Sequence, residues 1–164
     1  MEAPDRWTDV HETSGEYARL LAYGNQMIEI HVDLRDRLAD LREGVVAERD
    51  LPAHCLSFCA AVTRHHTGED ATVFPELERR HPELREFLAG LVRDHRVIAH
   101  LLAGVSAAAE RLSGEDDRER VTWIRRELDG LAAILETHFI GEEKRLVAVL
   151  NAIDPSVGLT GLAG

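Results

Sequence analysis

Residues 58–75 read Phe58-Cys59-Ala60-Ala61-Val62-Thr63-Arg64-His65-His66-Thr67-Gly68-Glu69-Asp70-Ala71-Thr72-Val73-Phe74-Pro75, and this stretch decides the fold. Its apolar positions continue a series from Leu51 through Cys55, Phe58 and Val62 in steps of three and four, the period of a helix with one buried face. Extended by the same steps, that face meets His65 and then Glu69. Residues at i and i+4 lie one above the other on a helix, so an imidazole and a carboxylate stand where core side chains belong. A buried carboxylate or imidazolium without a partner costs several kcal/mol. The segment opens with Asp50 as a candidate N-cap and Pro52 in its first turn, and Pro75 is expected to end it, with a short turn of helix at about 76–80.

Three other segments repeat the pattern. The first, from about residue 16 to 43, carries Met27, Leu34, Leu38 and Leu41, with His31 in the seam between Met27 and Leu34; Gly24 allows a kink or a short preceding helix. The third starts near Pro82 and places His95 between Leu91 and Ile98, with Leu102, Val105, Ala109 and Leu112 beyond and Ser113-Gly114 as a stop. The fourth, about 116–152, runs through Val121, Ile124, Leu128, Leu131 and Leu135 to His138 and Glu142, then Val149. Gly141 costs this helix about 1 kcal/mol relative to Ala but need not break it.

No stretch alternates with period two, so the chain is expected to be all-α. The stripes and short connections predict an antiparallel up-down-up-down four-helix bundle. Residues 1–15 are expected to form an N-terminal arm whose Trp7 docks on the bundle, 16–153 the bundle itself, and 154–164 a flexible tail. With 164 residues, 45% hydrophobic, one core without staples suffices. Nineteen basic against 30 acidic residues give a net charge of −11, which argues against nucleic acid and anionic membranes as partners. No apolar run is long enough for a membrane span or a secretory segment. Two cysteines make no disulfide framework and suit a reducing cytoplasm.

Nine histidines stand against four Phe, two Tyr and two Trp, and their placement matters more than their number. A lone core histidine is usually a satisfied one. Six imidazoles and carboxylates spread over all four seams must neutralise one another or share a cation. The pairs His65/Glu69 and His138/Glu142 also match in context, each with Gly before the Glu and a second acid, Asp70 or Glu143, after it. Mixed imidazole and carboxylate donors suit iron, manganese or zinc rather than calcium or magnesium, and two carboxylates suit a pair of ions. His66 and Asp70 form a second i, i+4 pair that the helical wheel does not separate from the first, either as extra ligands or as supports to the ligands.

The combined motifs resemble the hemerythrin family, in particular its bacterial HHE cation-binding branch. They are His31 within Ile-Glu-Ile-His-Val-Asp-Leu-Arg, then His65-His-Thr-Gly-Glu69-Asp-Ala-Thr-Val-Phe-Pro75, Asp94-His95-Arg96, and His138-Phe-Ile-Gly-Glu142-Glu-Lys-Arg. The resemblance implies a non-haem centre of two iron ions with an oxo or hydroxo bridge, manganese or zinc being the other candidates. It implies His31, His65, Glu69, His95, His138 and Glu142 as metal ligands, Glu69 and Glu142 as the bridging pair. Oxygen-carrying members have a further His four residues after the third-helix one. Here that position is Ala99 and His100 lies one step off the stripe, so one iron would be open to water or substrate. The expected function is reaction with a small oxidant, hydrogen peroxide or O₂, as a peroxidase- or catalase-like oxidoreductase. The alternatives are a reversible O₂ or NO binder or sensor without turnover, and a metal store or structural bundle.

Other residues draw plainer expectations. Cys55 and Cys59 are expected to fill the core, a redox or soft-metal role being the alternative. His11, His81 and His100 are expected to be solvated, and His54 to lie at the surface or behind a ligand. Tyr17 and Tyr23 either pack or donate to a metal-bound oxygen species. Glu115-Asp116-Asp117 complements a helix N-terminus.

Overall fold

The computed structural model describes the backbone of residues 6–112 and 118–153, and the side chains of 15, 17–112 and 118–152. Among the described residues the α-helices are α1 Arg6–Arg42, α2 Leu51–Gly68, the short α3 Phe74–Arg80, α4 Arg85–Glu110 and α5 Arg118–Ile153. Among the described residues there is no strand, and no helix is long and apolar enough to cross a membrane.

The helices differ from the sequence pattern mostly at their ends. α1 starts at Arg6, so residues 6–15 are helix continuous with the first segment rather than a separate arm. Between Pro4 and Pro52 no proline stops it, and a helical glycine such as Gly15 costs only about 1 kcal/mol. It also runs unbroken through Gly24, whose meaning is close approach: a Cβ there would lie 3.1 Å from a Leu146 methyl. Just past the end of α1, Gly44 has φ +72°, and Val45 N–H donates to the Asp40 carbonyl at 3.2 Å. Only a residue free to adopt positive φ closes the helix this way.

Asp50 does precede α2, but makes no side-chain capping bond. At the other end Pro75 does not terminate the helical path. A single π-helical turn, Glu69–Val73, joins α2 to α3, and Phe74 N–H donates to the Glu69 carbonyl. Proline lacks an N–H and its ring clashes with the carbonyl four residues back; a turn widened to i→i+5 relieves both. A 3₁₀ turn, Pro82–Leu84, leads into α4. Gly141 lies inside α5 without interrupting it. The expected Ser113-Gly114 stop, the Glu115-Asp116-Asp117 cluster, the 154–164 tail and the docking of Trp7 lie outside the described residues, as does the side chain of His11.

The chain divides into two compact units, Val32–Phe139 and Met1–His31 with Ile140–Gly164. In the first, Leu34, Phe58, Val62, Ile98, Leu128 and Leu131 are all at most 2% exposed, and each such burial contributes roughly 1.5–3 kcal/mol. Arg35–Glu136 and Arg42–Asp129 ion pairs, both 2.8 Å, join α1 to α5 within this unit. In the second, Met27, Leu146 and Leu150 form a core against which Tyr17, Leu20, Leu21 and Tyr23 pack.

Candidate metal centre

Within residues 32–139 the last turn of α2 points two successive imidazoles inward. The His65 side chain is 6% exposed, and its Nε2 lies 3.3 Å from Glu69 Oε1 across one helical turn. His66, 5% exposed, turns towards α4 and stacks on His95 with ring centroids 3.8 Å apart and planes 10° from parallel. Immediately beyond, the π-turn presents Glu69 and Asp70 in succession. Glu69 is buried, while Asp70 Oδ1 lies 2.7 Å from His95 Nδ1.

His95 is therefore fixed on three sides. His66 covers one face and Phe74 stacks at 5.6 Å. Its Nδ1 must donate to Asp70, because an ionised carboxylate only accepts. His95 Nε2 faces His138 Nε2 at 3.0 Å, with Glu69 Oε1 at 3.7 Å. His138 is held in the same manner: its Nδ1 lies 3.2 Å from Asp94 Oδ2. Burial pushes the His138 imidazole below its usual range, opposed by the Asp94 hydrogen bond, and burial likewise lowers His65 against the pull of Glu69.

Two rings that both donate from Nδ1 and carry no second proton would aim lone pairs at each other across 3.0 Å. That arrangement is repulsive unless a proton or a cation lies within reach of both. Two nitrogens each about 2.1 Å from one ion stand about 3 Å apart when their bonds make a right angle, so the spacing suits adjacent ligands of a metal. Donor atoms of His66, His95 and His138 all lie within 4.8 Å of one another, as do those of His65, His66 and Glu69. An N/O donor set of this kind fits a first-row transition ion better than a hard oxygen-seeking cation. The carboxylate-to-Nδ1 bonds are the supports that metal-binding imidazoles characteristically have.

The unit of residues 1–31 and 140–164 holds a second, carboxylate-rich group. His31 is fully buried, with Nδ1 2.9 Å from Glu143 Oε1 and Nε2 3.9 Å from Glu142 Oε2. Tyr23 donates its hydroxyl to Glu142 Oε1 at 3.3 Å.

All six residues expected as ligands are buried at the side chain. His65, Glu69, His95 and His138 gather in one unit and His31 with Glu142 in the other. The two competing α2 registers are both used, since His66 and Asp70 each engage His95. Asp94 and Glu143 are the supports that sequence reasoning missed; their shared signal was an acid directly adjoining a ligand candidate. Tyr23 does more than pack. One expectation fails: Ala99 is exposed and Ile98 is the buried residue after His95, so position 99 leaves no gap in the interior. His54 and His100 are exposed, and His81 pairs with Glu83 at 3.4 Å. Cys55 and Cys59 are free, buried thiols, and burial pushes Cys55 up to about 12.

No curated protein and no solved structure gives a significant match to the chain. A family description does match: hemerythrin HHE cation binding domain, over residues 25–150. That span includes every buried imidazole and carboxylate described above, and the chain belongs to the hemerythrin HHE cation-binding domain family.

Proposed function

We propose that this chain is a non-haem di-iron protein that reacts with a small oxidant, hydrogen peroxide or O₂, inside an antiparallel up-down-up-down helix bundle. The topology is supported by contacts whose numbering rises on one helix as it falls on the next. Cys59 meets Ser106 and His66 meets His95; His95 meets His138 and Gly104 adjoins Trp123. The ligands we assign are His31, His65, Glu69, His95, His138 and Glu142. The observation that carries the reading is the convergence of His95 and His138 Nε2 at 3.0 Å, each imidazole held by a carboxylate at its other nitrogen.

When bound, a pair of redox-active ions would supply the electrons that imidazoles and carboxylates cannot give to a small oxidant. The protein's part is positional. Asp70 and Asp94 accept from Nδ1 and so orient the Nε2 atoms of His95 and His138 towards each other, and the Tyr23 hydroxyl steadies Glu142. Phe74 and Phe139, 4% and 1% exposed, help keep bulk water out. Buried thiols at Cys55 and Cys59 suit a reducing compartment, and we propose a cytoplasmic setting.

The test is iron reconstitution followed by peroxide consumption, with the near-ultraviolet spectrum recorded alongside. Catalytic loss of peroxide, abolished by Glu69→Ala, is the expected result; an iron-loaded protein inert to peroxide contradicts turnover. The second reading, a reversible O₂ or NO binder, draws support from the exposure of Ala99, which removes one argument for an open coordination position. Reversible spectral change with O₂ or NO, without peroxide loss, would favour it.

A further inference from the structure

Resting on the metal-centre reading, we propose that His66 is itself a metal ligand. It stands with His95 and His138 around one ion, as a further imidazole from α2. The resemblance behind the six-residue assignment takes one imidazole from each seam and leaves His66 without a part. The geometry gives it one. Its side chain is only 5% exposed, and its donor atom lies within 4.8 Å of those of His95 and His138. Its ring lies parallel to His95 at 3.8 Å and edge-on to His138 at 5.1 Å. An imidazole lone pair lies in its ring plane and donors about 2.1 Å from one metal stand about 3 Å apart, so His66 joins His95 and His138 on one ion by turning out of its stack.

The local backbone explains how α2 reaches two ways. Successive helical residues point about 100° apart, so His65 stays over Glu69 while His66 faces α4. Asp70, delivered by the π-turn, then fixes His95 beside it. Phe139 meets His66 at 6.4 Å on another side, an apolar wall that disfavours water as the competing ligand. A ring serving only to pack against His95 would have no need of a nitrogen, and phenylalanine would serve equally.

That contrast defines the experiment. His66→Phe keeps a flat ring against His95 and removes the donor. Iron titration of wild-type protein and of His66→Phe, followed by elemental analysis and absorption spectra, should show the variant binding one of the two ions on the order of tenfold more weakly or worse, with a changed spectrum. Retention of both ions at wild-type affinity and spectrum overturns the proposal. Should the variant misfold, ¹⁵N spectra of the wild-type protein with and without Zn²⁺ decide the matter. A ring nitrogen of His66 must shift on loading as those of His95 and His138 do, and an unshifted His66 beside shifted partners overturns it. Failure of the underlying reading looks different, since wild-type protein would then bind no ion at all.

Discussion

The two His-x-x-x-Glu turns of this molecule share a spacing and differ in backbone. In α2, His65-His66-Thr67-Gly68-Glu69-Asp70 runs into a π-turn ahead of Pro75; in α5, His138-Phe139-Ile140-Gly141-Glu142-Glu143 continues as regular helix. Both use the acid after the Glu in the same way, as acceptor for an imidazole Nδ1 on another helix: Asp70 for His95, Glu143 for His31. They part at the residue after the His. His66 stacks on His95, whereas Phe139 offers its face to the Arg35 guanidinium at 5.3 Å. The i, i+4 spacing sets which pair shares a face, and the neighbouring residue and downstream backbone decide what else reaches the site.

Metal removal acts on both turns at once and should have the largest effect. A ligand present at a thousandfold its Kd stabilises by about 4 kcal/mol, which at about 2–4 °C per kcal/mol lowers the Tm by on the order of 10 °C when chelated away. If chelated and loaded protein melt together, the buried imidazoles and carboxylates hold no metal.

The supporting acids separate the turns from each other. Asp70→Ala should weaken metal binding about 10–100-fold, because it frees His95 to rotate or to protonate the wrong nitrogen. Glu143→Ala should act on His31 in the same direction. Metal affinities of the two variants compare the turns directly, and an Asp70→Ala protein with wild-type affinity would show that the 2.7 Å bond to His95 is incidental.

A smaller effect should appear in the metal-free protein as pH falls. Each turn contributes one imidazole, His65 or His138, that burial holds below its usual value of 6.5. The unfolded chain takes up protons near that value while the folded chain refuses them. Stability is therefore complete above about pH 6.5 and declines below it, by at most about 1.4 kcal/mol per pH unit for each imidazole. Urea unfolding of metal-free protein at pH 7.5 and 5.5 measures the decline; equal or greater stability at pH 5.5 contradicts it.

The smallest effect belongs to the thiols upstream of the α2 turn. With Cys55 fully buried and its thiol pushed up to about 12, native protein at pH 8 should leave it unalkylated by iodoacetamide, and Cys55→Ala should leave metal content unchanged. Rapid native labelling of Cys55 would show that this face opens.

What could be read in advance followed from period. The stripes through Leu34, Phe58, Ile98 and Leu128 are buried as their spacing requires, and the polar residues interrupting them are buried too. What could not be read depended on single contacts or on drift. The π-turn depends on the backbone around one proline. The role of Asp94 exists only because α4 meets α5 at His138. Position 99 was misplaced because the α4 stripe alternates steps of four and three: after Leu91 to His95 the next inward step is three, to Ile98. The early start of α1 escaped notice because residues 6–15 carry no clear apolar stripe.

The central claim is that the imidazoles and carboxylates of both turns, with His31 and His95, serve a pair of metal ions. Elemental analysis of protein purified aerobically without chelator, scaled to chain concentration, tests it most directly. About two ions per chain, mainly iron, is the predicted result, because four to five imidazoles and two carboxylates offer more donors than one ion takes. A fully folded, fully active protein with one ion per chain, or with none, would contradict it.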